Sequence, residues 1–274
     1  MAQLDLEAEL SFARRIAREA GERVLGLRAS GKWTDEVIVG DVGDQAADAY
    51  LQGSIRAAHP DDGLLSEETQ DSARRTAKRR TWIVDPLDGT KEYRSGREDW
   101  AVHVALVVDG APALGAVALP SLGATLWGLC LPGRERHGID GAPGGANAAL
   151  LPGTSRSPAR LRLVCSRSHT PKWMDAFAQG LGDCELLPVG SVGFKASRLL
   201  LGAADVYVHK PGVKEWDTCA PECVARACGW HVSRLDGSPQ RYNQPDPRND
   251  ELVICRPADR ERVLAAVRAS GVLG

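Results

Sequence analysis

The sequence predicts an α/β protein in two halves, and three patterns carry that prediction. Residues 3–28 repeat apolar side chains at helical spacing. Between Trp100 and Leu131, three strand-like runs are separated by Asp109-Gly110 and Ser121-Leu122-Gly123, which predicts an antiparallel meander. From residue 161 onward, short apolar runs alternate with helical ones, as in a mixed or parallel sheet flanked by helices. A chain of 274 residues with 43% hydrophobic and 26% charged content is long enough and apolar enough to bury such a core.

Taken in order, Leu6, Leu10, Ala13, Ile16, Ala17, Ala20, Val24 and Leu27 line one face of the first helix. Lys32 to Gly43 is polar and rich in Asp and Gly, so it reads as a loop or short hairpin. Asp44 then opens a second helix through Ala46, Ala47, Tyr50, Leu51 and Ile55, where an acid also reads as a cap. Asp62–Thr69 is a short strand ending in Glu67-Glu68, followed by a charged, exposed tract from Gln70 to Arg80. Trp82-Ile83-Val84 reads as a buried strand that should turn at Pro86, because proline lacks an amide proton and has a fixed φ. Pro132 to Pro158, dense in Gly and Pro, reads as a linker or flap dividing residues 1–155 from 156–274. The second half predicts strands at Leu161–Cys165, Glu185–Pro188, Asp205–His209 and Glu251–Ile254. Its helices fall at Pro171–Ala178, Val192–Leu201, Asp217–Ala227 and Ala258–Val267.

Whole-chain features exclude several functional classes. A net charge of −2 gives no basic field for nucleic acid or anionic lipid. No run approaches a membrane span, and Met1–Glu9 lacks a basic segment followed by an apolar block, so a cytoplasmic protein is expected. A homodimer is compatible with these features. Seven cysteines without a Cys-x-x-Cys pair argue against a disulfide framework or structural zinc and favour reduced, buried thiols.

Two blocks carry chemistry. In Asp85-Pro86-Leu87-Asp88-Gly89-Thr90, two carboxylates can converge on a hard divalent cation, with the Leu87 carbonyl as a further oxygen ligand. Gly89 permits close approach of an anion, Thr90 adds a hydroxyl, and the N–H groups of both would face a phosphate if a helix starts there. The same letters also make an ordinary turn. In Lys210–Glu222, Asp217 stands at the start of a helix, where it reads either as a ligand or as a cap ahead of Pro221.

Together, Ser66-Glu67-Glu68, the Asp85–Thr90 block and Trp216-Asp217-Thr218-Cys219-Ala220-Pro221-Glu222 resemble the inositol monophosphatase-like superfamily of magnesium-dependent phosphomonoesterases. Lys91-Glu92-Tyr93 and Pro211–Asp217 look most like its 3′(2′),5′-bisphosphate nucleotidase branch. Ser233–Pro239 with Arg241–Gln244 is similar to the bacterial CysQ-type members. The resemblance runs across essentially the whole chain. It implies a layered α/β/α/β/α sandwich with the site between the halves, a need for Mg²⁺ and inhibition by Li⁺. It further implies that Glu67, Asp85, Asp88, the Leu87 carbonyl and Asp217 hold two or three Mg²⁺ ions, and that Asp44 and Thr90 activate water. The approach to that acid departs from the family's Ser-Pro-Val-Thr-x-Ala-Asp and reads Val39-Gly40-Asp41-Val42-Gly43-Asp44, so Asp41 is the alternative. The implied substrate is the small nucleotide adenosine 3′,5′-bisphosphate, a by-product of sulfate activation. Gly89, Thr90, Ser166, His169, Ser191 and Lys195 are its implied contacts. Lys195 also reads as a solvated helix lysine, and His169 as a cap.

Such a cluster suits phosphate monoester chemistry, because cations neutralise the dianion that repels an incoming nucleophile. Haloacid-dehalogenase phosphatases share Asp-x-Asp-Gly-Thr, but their nucleophile would fall on Pro86, which has no nucleophilic atom. Direct attack by water is the expected route.

Overall fold

The apolar stripe of the N-terminal residues forms α1 (Glu7–Ala29), which buries Leu10, Ala13, Ile16, Ala17, Ala20 and Val24. The computed structural model describes residues 5–141, 149–168 and 170–273. After α1 come α2 (Glu36–Ala58), β1 (Gly63–Ser66), β2 (Arg80–Asp88), α3 (Thr90–Arg94), β3 (Ala101–Val108), β4 (Ala111–Leu119), β5 (Ala124–Leu129) and β6 (Arg136–Asp140). The second half runs β7 (Leu161–Ser166), α4 (Trp173–Leu181), β8 (Cys184–Val189), α5 (Val192–Leu200), β9 (Val206–His209), α6 (Glu215–Ala227), β10 (His231–Ser233), β11 (Leu252–Cys255) and α7 (Arg260–Ala269).

The first sheet has the order β1-β2-β3-β4-β5-β6 and is antiparallel apart from the β1–β2 pair. The second, β10-β11-β9-β7-β8, is mixed, with β7 parallel to both β8 and β9. Three apolar cores separate the layers. One joins α1 and α2 to the first sheet, one packs α5 and α6 between the sheets, and one joins the second sheet to α4 and α7. This is the α/β/α/β/α sandwich that the resemblance implied.

Several local expectations are corrected. The loop expected over residues 32–43 is mostly helix. Asp35 caps α2 by accepting the N–H groups of Val37 and Ile38, and Asp44 sits in the helix interior rather than at its start. The glycines that suggested a loop are packing residues. Arg94 fills the space a Cβ at Gly40 would occupy, and the Tyr93 ring lies 3.1 Å from one at Gly43. Nor does β2 end at Pro86. It runs on to Asp88, with a register shift against β3 between Asp85 and Asp88 that absorbs the missing donor. On the other side, β1 pairs only as far as Val84, so no ladder bond is demanded of the proline there. The tract from Gln70 to Arg80 is not wholly exposed, since Arg75 is buried and binds Asp71, Asn243 and the Gln244 carbonyl. The expected linker begins with an edge strand, β6, while residues 142–148 within it lie outside the described residues. The short strand β10 had no counterpart in the sequence reading.

Helix α6 is pressed hard onto the first sheet. A Cβ at Gly115 would stand 2.8 Å from the Ala220 carbonyl oxygen, and one at Gly128 2.8 Å from the Val224 Cα. These neighbours are backbone and cannot yield. Gly128→Ala is therefore expected to lower stability by about 1–3 kcal/mol. Gly26→Ala, in open space on α1, should raise it by about 0.5–1 kcal/mol. Urea unfolding of both variants checks this, and equal effects would show that α6 does not press on β5.

Candidate active site

Asp85 and Asp88 stand on either side of the bulge that ends β2, so a single strand delivers both to one place. Asp217, in the first turn of α6, accepts the Lys214 N–H at 2.6 Å. It both caps its helix and reaches the pair, and one carboxylate oxygen from each of Asp85, Asp88 and Asp217 lies within 4.8 Å of the others. Glu67, immediately after β1, meets the Asp85 carboxyl. Its loop is fixed from α2, where buried Asp48 accepts the hydroxyls of Ser66 at 2.5 Å and Thr69 at 2.9 Å. Asp44 lies one turn earlier on the same helix. It is 5% exposed, close to the Thr90 hydroxyl, and its Oδ1 has no partner. Thr90 donates to the Leu87 carbonyl at 3.1 Å, which places that oxygen beside the acids. Gly89 starts α3 at φ +94°, where a Cβ would be strained and would stand 2.8 Å from that of Ser191.

The electrostatics follow from this crowding. Burial and the neighbouring carboxylates push Asp44, Glu67 and Asp217 each up to about 7. For Glu67 burial is the largest cause, followed by Glu68, Asp44 and Asp88. Asp85 is raised well above the ordinary range by burial and by Glu67, Asp88 and Asp217, and its Oδ2 has no hydrogen-bond partner. Asp88 alone moves down. Burial opposes that shift, but His103 and the Gly193 N–H outweigh it. Its Oδ1 accepts the Val192 N–H at 3.1 Å and its Oδ2 the Gly193 N–H at 2.6 Å, both from the first turn of α5.

Two hollows bear on the site, the first beside Asp44 and Thr90 and the second in the C-terminal half. One, of about 720 Å³, is lined by Asp41, Asp44, Glu68, Thr90 and Arg94. Here Asp41 is exposed and pairs with Arg94 at 2.6 Å, whereas Asp44 is the acid turned to Thr90. The other, of about 340 Å³, is lined by Ser166, Pro171, Trp173, Met174, His209 and Lys210. Ser191 caps α5 by accepting the Phe194 N–H at 3.1 Å. Lys195 is no solvated lysine. At 3% exposure, it turns its ammonium onto the Gly190 carbonyl and over the Tyr207 ring, and burial lowers its pKa. His169 lies outside the described residues.

Sequence reasoning missed His103, which is fully buried between Asp88 and the Trp216 carbonyl. One signal was there to be read, since it is the single polar residue in the run Ala101–Val108. It also missed Asp99, which accepts the Gly190 N–H at 2.6 Å and pairs with Arg167 at 2.6 Å, fixing the loop ahead of Ser191.

The raised carboxyls set a pH dependence. In the unfolded chain these groups ionise near 3.8 (Asp) or 4.5 (Glu), while the folded, metal-free protein holds their protons to about 7. Between those limits the folded state binds more protons, so its stability falls as pH rises. Melting temperatures in EDTA should decline from about pH 5 to pH 7.5, and a flat or rising profile would contradict the crowding.

Comparison with known proteins agrees with the architecture. A family model described as the inositol monophosphatase family matches residues 4–271. The chain is 38% identical over 276 residues to the 3′-phosphoadenosine 5′-phosphate phosphatase of Mycobacterium leprae, covering 96% of this chain and 95% of that protein. It is 30% identical over 240 residues to the 3′(2′),5′-bisphosphate nucleotidase CysQ of Escherichia coli, covering 83% and 91%. The crystal structure of CysQ from Bacteroides thetaiotaomicron matches with a TM-score of 0.77 at 26% identity, over 93% of this chain and 99% of that one. With nearly every residue aligned, this chain belongs to the inositol monophosphatase family.

Proposed function

We propose that the protein is a Mg²⁺-dependent phosphomonoesterase that removes the 3′-phosphate of adenosine 3′,5′-bisphosphate, giving AMP and phosphate. The observation that carries this reading is the convergence of Asp85, Asp88 and Asp217 within 4.8 Å. The substrate follows from relatives named for 3′-phosphoadenosine 5′-phosphate and bisphosphate nucleotides. Residues 1–155 and 156–274 act as two halves, the first supplying Glu67, Asp85 and Asp88 and the second Asp217.

The donors suit two or three Mg²⁺ ions. They are hard oxygens from Glu67, Asp85, Asp88, Asp217 and the Leu87 carbonyl, and a fully buried carboxylate oxygen of Asp85 lacks any partner. Bound there, the cations would neutralise the phosphate dianion and act as Lewis acids toward it. The chain's own residues do the rest. Asp44 takes the proton of the attacking water on its unpartnered Oδ1. The Thr90 hydroxyl orients that water, and the N–H groups of Gly89 and Thr90 face the phosphate. The hollow at Ser166, walled by Trp173, Met174 and Pro171 with Lys210 at its edge, accepts the nucleoside and its second phosphate. Ser191, Lys195 and His169 are assigned to the same nucleotide by the sequence resemblance.

A phosphate-release panel of adenosine 3′,5′-bisphosphate, inositol 1-phosphate and fructose 1,6-bisphosphate, with Mg²⁺ or EDTA, tests the reading. Turnover should be most efficient on the nucleotide and vanish in EDTA, and a preference for inositol or sugar phosphate would overturn it. Asp44→Asn should lower kcat by about 10²–10⁴-fold while Mg²⁺ binding, followed by calorimetry, is retained. Asp85→Asn should abolish activity yet raise the melting temperature in EDTA, because it removes one of several crowded acids and puts a donor beside Glu67. A lower melting temperature would count against that account of Asp85.

A further inference from the structure

His103 lies in neither hollow, touches no solvent, and takes no part in the chemistry just described. It is nonetheless wedged into the centre of the site. Its Nε2 stands 3.2 Å from the Asp88 Oδ2, and its Nδ1 is 3.1 Å from the Trp216 carbonyl and 4.0 Å from the Asp85 Oδ2. The fit is tight, since a Cβ at Gly193 would run into Nε2. One imidazole therefore bridges two oxygens from separate parts of the chain, by a close contact at Nε2 that makes no hydrogen bond and by a hydrogen bond at Nδ1. The first is the carboxylate that ends β2, and the second is the carbonyl adjoining Asp217 in the first turn of α6.

We propose that His103 is a positioning residue of the cation centre, holding Asp88 and the start of α6 so that Asp88 and Asp217 present their oxygens at a fixed separation. The inference rests on the metal-dependent reading above. Its physical basis is that carboxylates within 4.8 Å of one another repel and must be held by other groups. The α5 amides restrain Asp88 alone. Among the contacts described here, the imidazole is what joins Asp88 to the Trp216 carbonyl beside Asp217. Side chains of this kind, one step removed from the ligands, set the geometry on which metal affinity depends.

Three variants separate the two contacts. His103→Leu keeps apolar volume and loses both. His103→Gln places an amide nitrogen near the Nε2 position, toward Asp88. His103→Asn places one near Nδ1, toward Trp216. The measurements are Mg²⁺ titration calorimetry on protein stripped with EDTA, the Mg²⁺ concentration for half-maximal phosphate release, and the metal-free melting temperature. His103→Leu should bind Mg²⁺ about 10–100-fold more weakly, and its turnover should recover at saturating Mg²⁺. His103→Gln should restore most of the affinity and His103→Asn should not.

Wild-type Mg²⁺ affinity in His103→Leu would overturn the inference. So would equal losses in all three variants that track a common fall in metal-free melting temperature, since that is the mark of packing alone. If His103→Leu does not fold, the contrast between Gln and Asn decides alone, and equal affinities in those two would overturn it. Absence of Mg²⁺ binding by the wild-type protein is a separate result, which would remove the metal reading and this inference with it.

Discussion

One ionic clasp underlies the rest of the structure. The carboxylate of Asp88, at the end of β2, accepts two amide protons from the first turn of α5 and faces His103. Those partners hold its charge in a fully enclosed place, and they are why its pKa moves down while its neighbours move up. The clasp also ties the first sheet to the second half of the chain. The motif that opens the chemistry and the packing that joins the halves therefore share one side chain. The bulge at Pro86 serves the same end, since a regular ladder would space Asp85 and Asp88 by the plain alternation of a strand.

Helix α6 is the second fixed point. It carries Asp217 in its first turn and lies against Gly115 and Gly128, where no side chain would fit. Buried Glu215 accepts the N–H groups of Asn243 and Gln244, and Arg75 binds Asn243 and the Gln244 carbonyl, so the helix start is braced from both sides. A shift of α6 would move Asp217 relative to the β2 pair. The precision of the site thus rests on backbone contacts some distance from any acid.

Much of this was legible in the sequence because it rests on local rules. The apolar period of α1, the meander of β3 to β5 and the alternation of the second half follow from side-chain spacing, and the acids of β2 and α6 follow from two short blocks. What escaped depends on contacts between distant residues. Gly40 and Gly43 looked like loop formers until Arg94 and Tyr93 took up their space. Arg75 looked like one more exposed cation until Asp71, Asn243 and Gln244 gathered around it. For Lys195 a solvated face stayed open beside nucleotide contact, because helical spacing does not tell an outer face from a covered one. His103 was hidden because a lone polar residue in a strand signals a buried partner without naming it.

The same crowding explains why a stable fold keeps a destabilising cluster. Four groups, Asp44, Glu67, Asp85 and Asp217, are pushed toward their neutral forms by burial and by one another. Hydrophobic packing could have satisfied that volume more cheaply. Protons and a divalent cation compete for these oxygens, so the free energy that the folded chain gives up to hold them together becomes available to whatever positive charge replaces the protons. Asp88, held ionised by His103 and by the α5 amide protons, offers its charge to a cation with no proton to displace, and the other acids are arranged around it. Strain of this kind persists only where the surrounding structure over-determines it, and here β2, β3 and the first turn of α5 close on the Asp88 carboxylate.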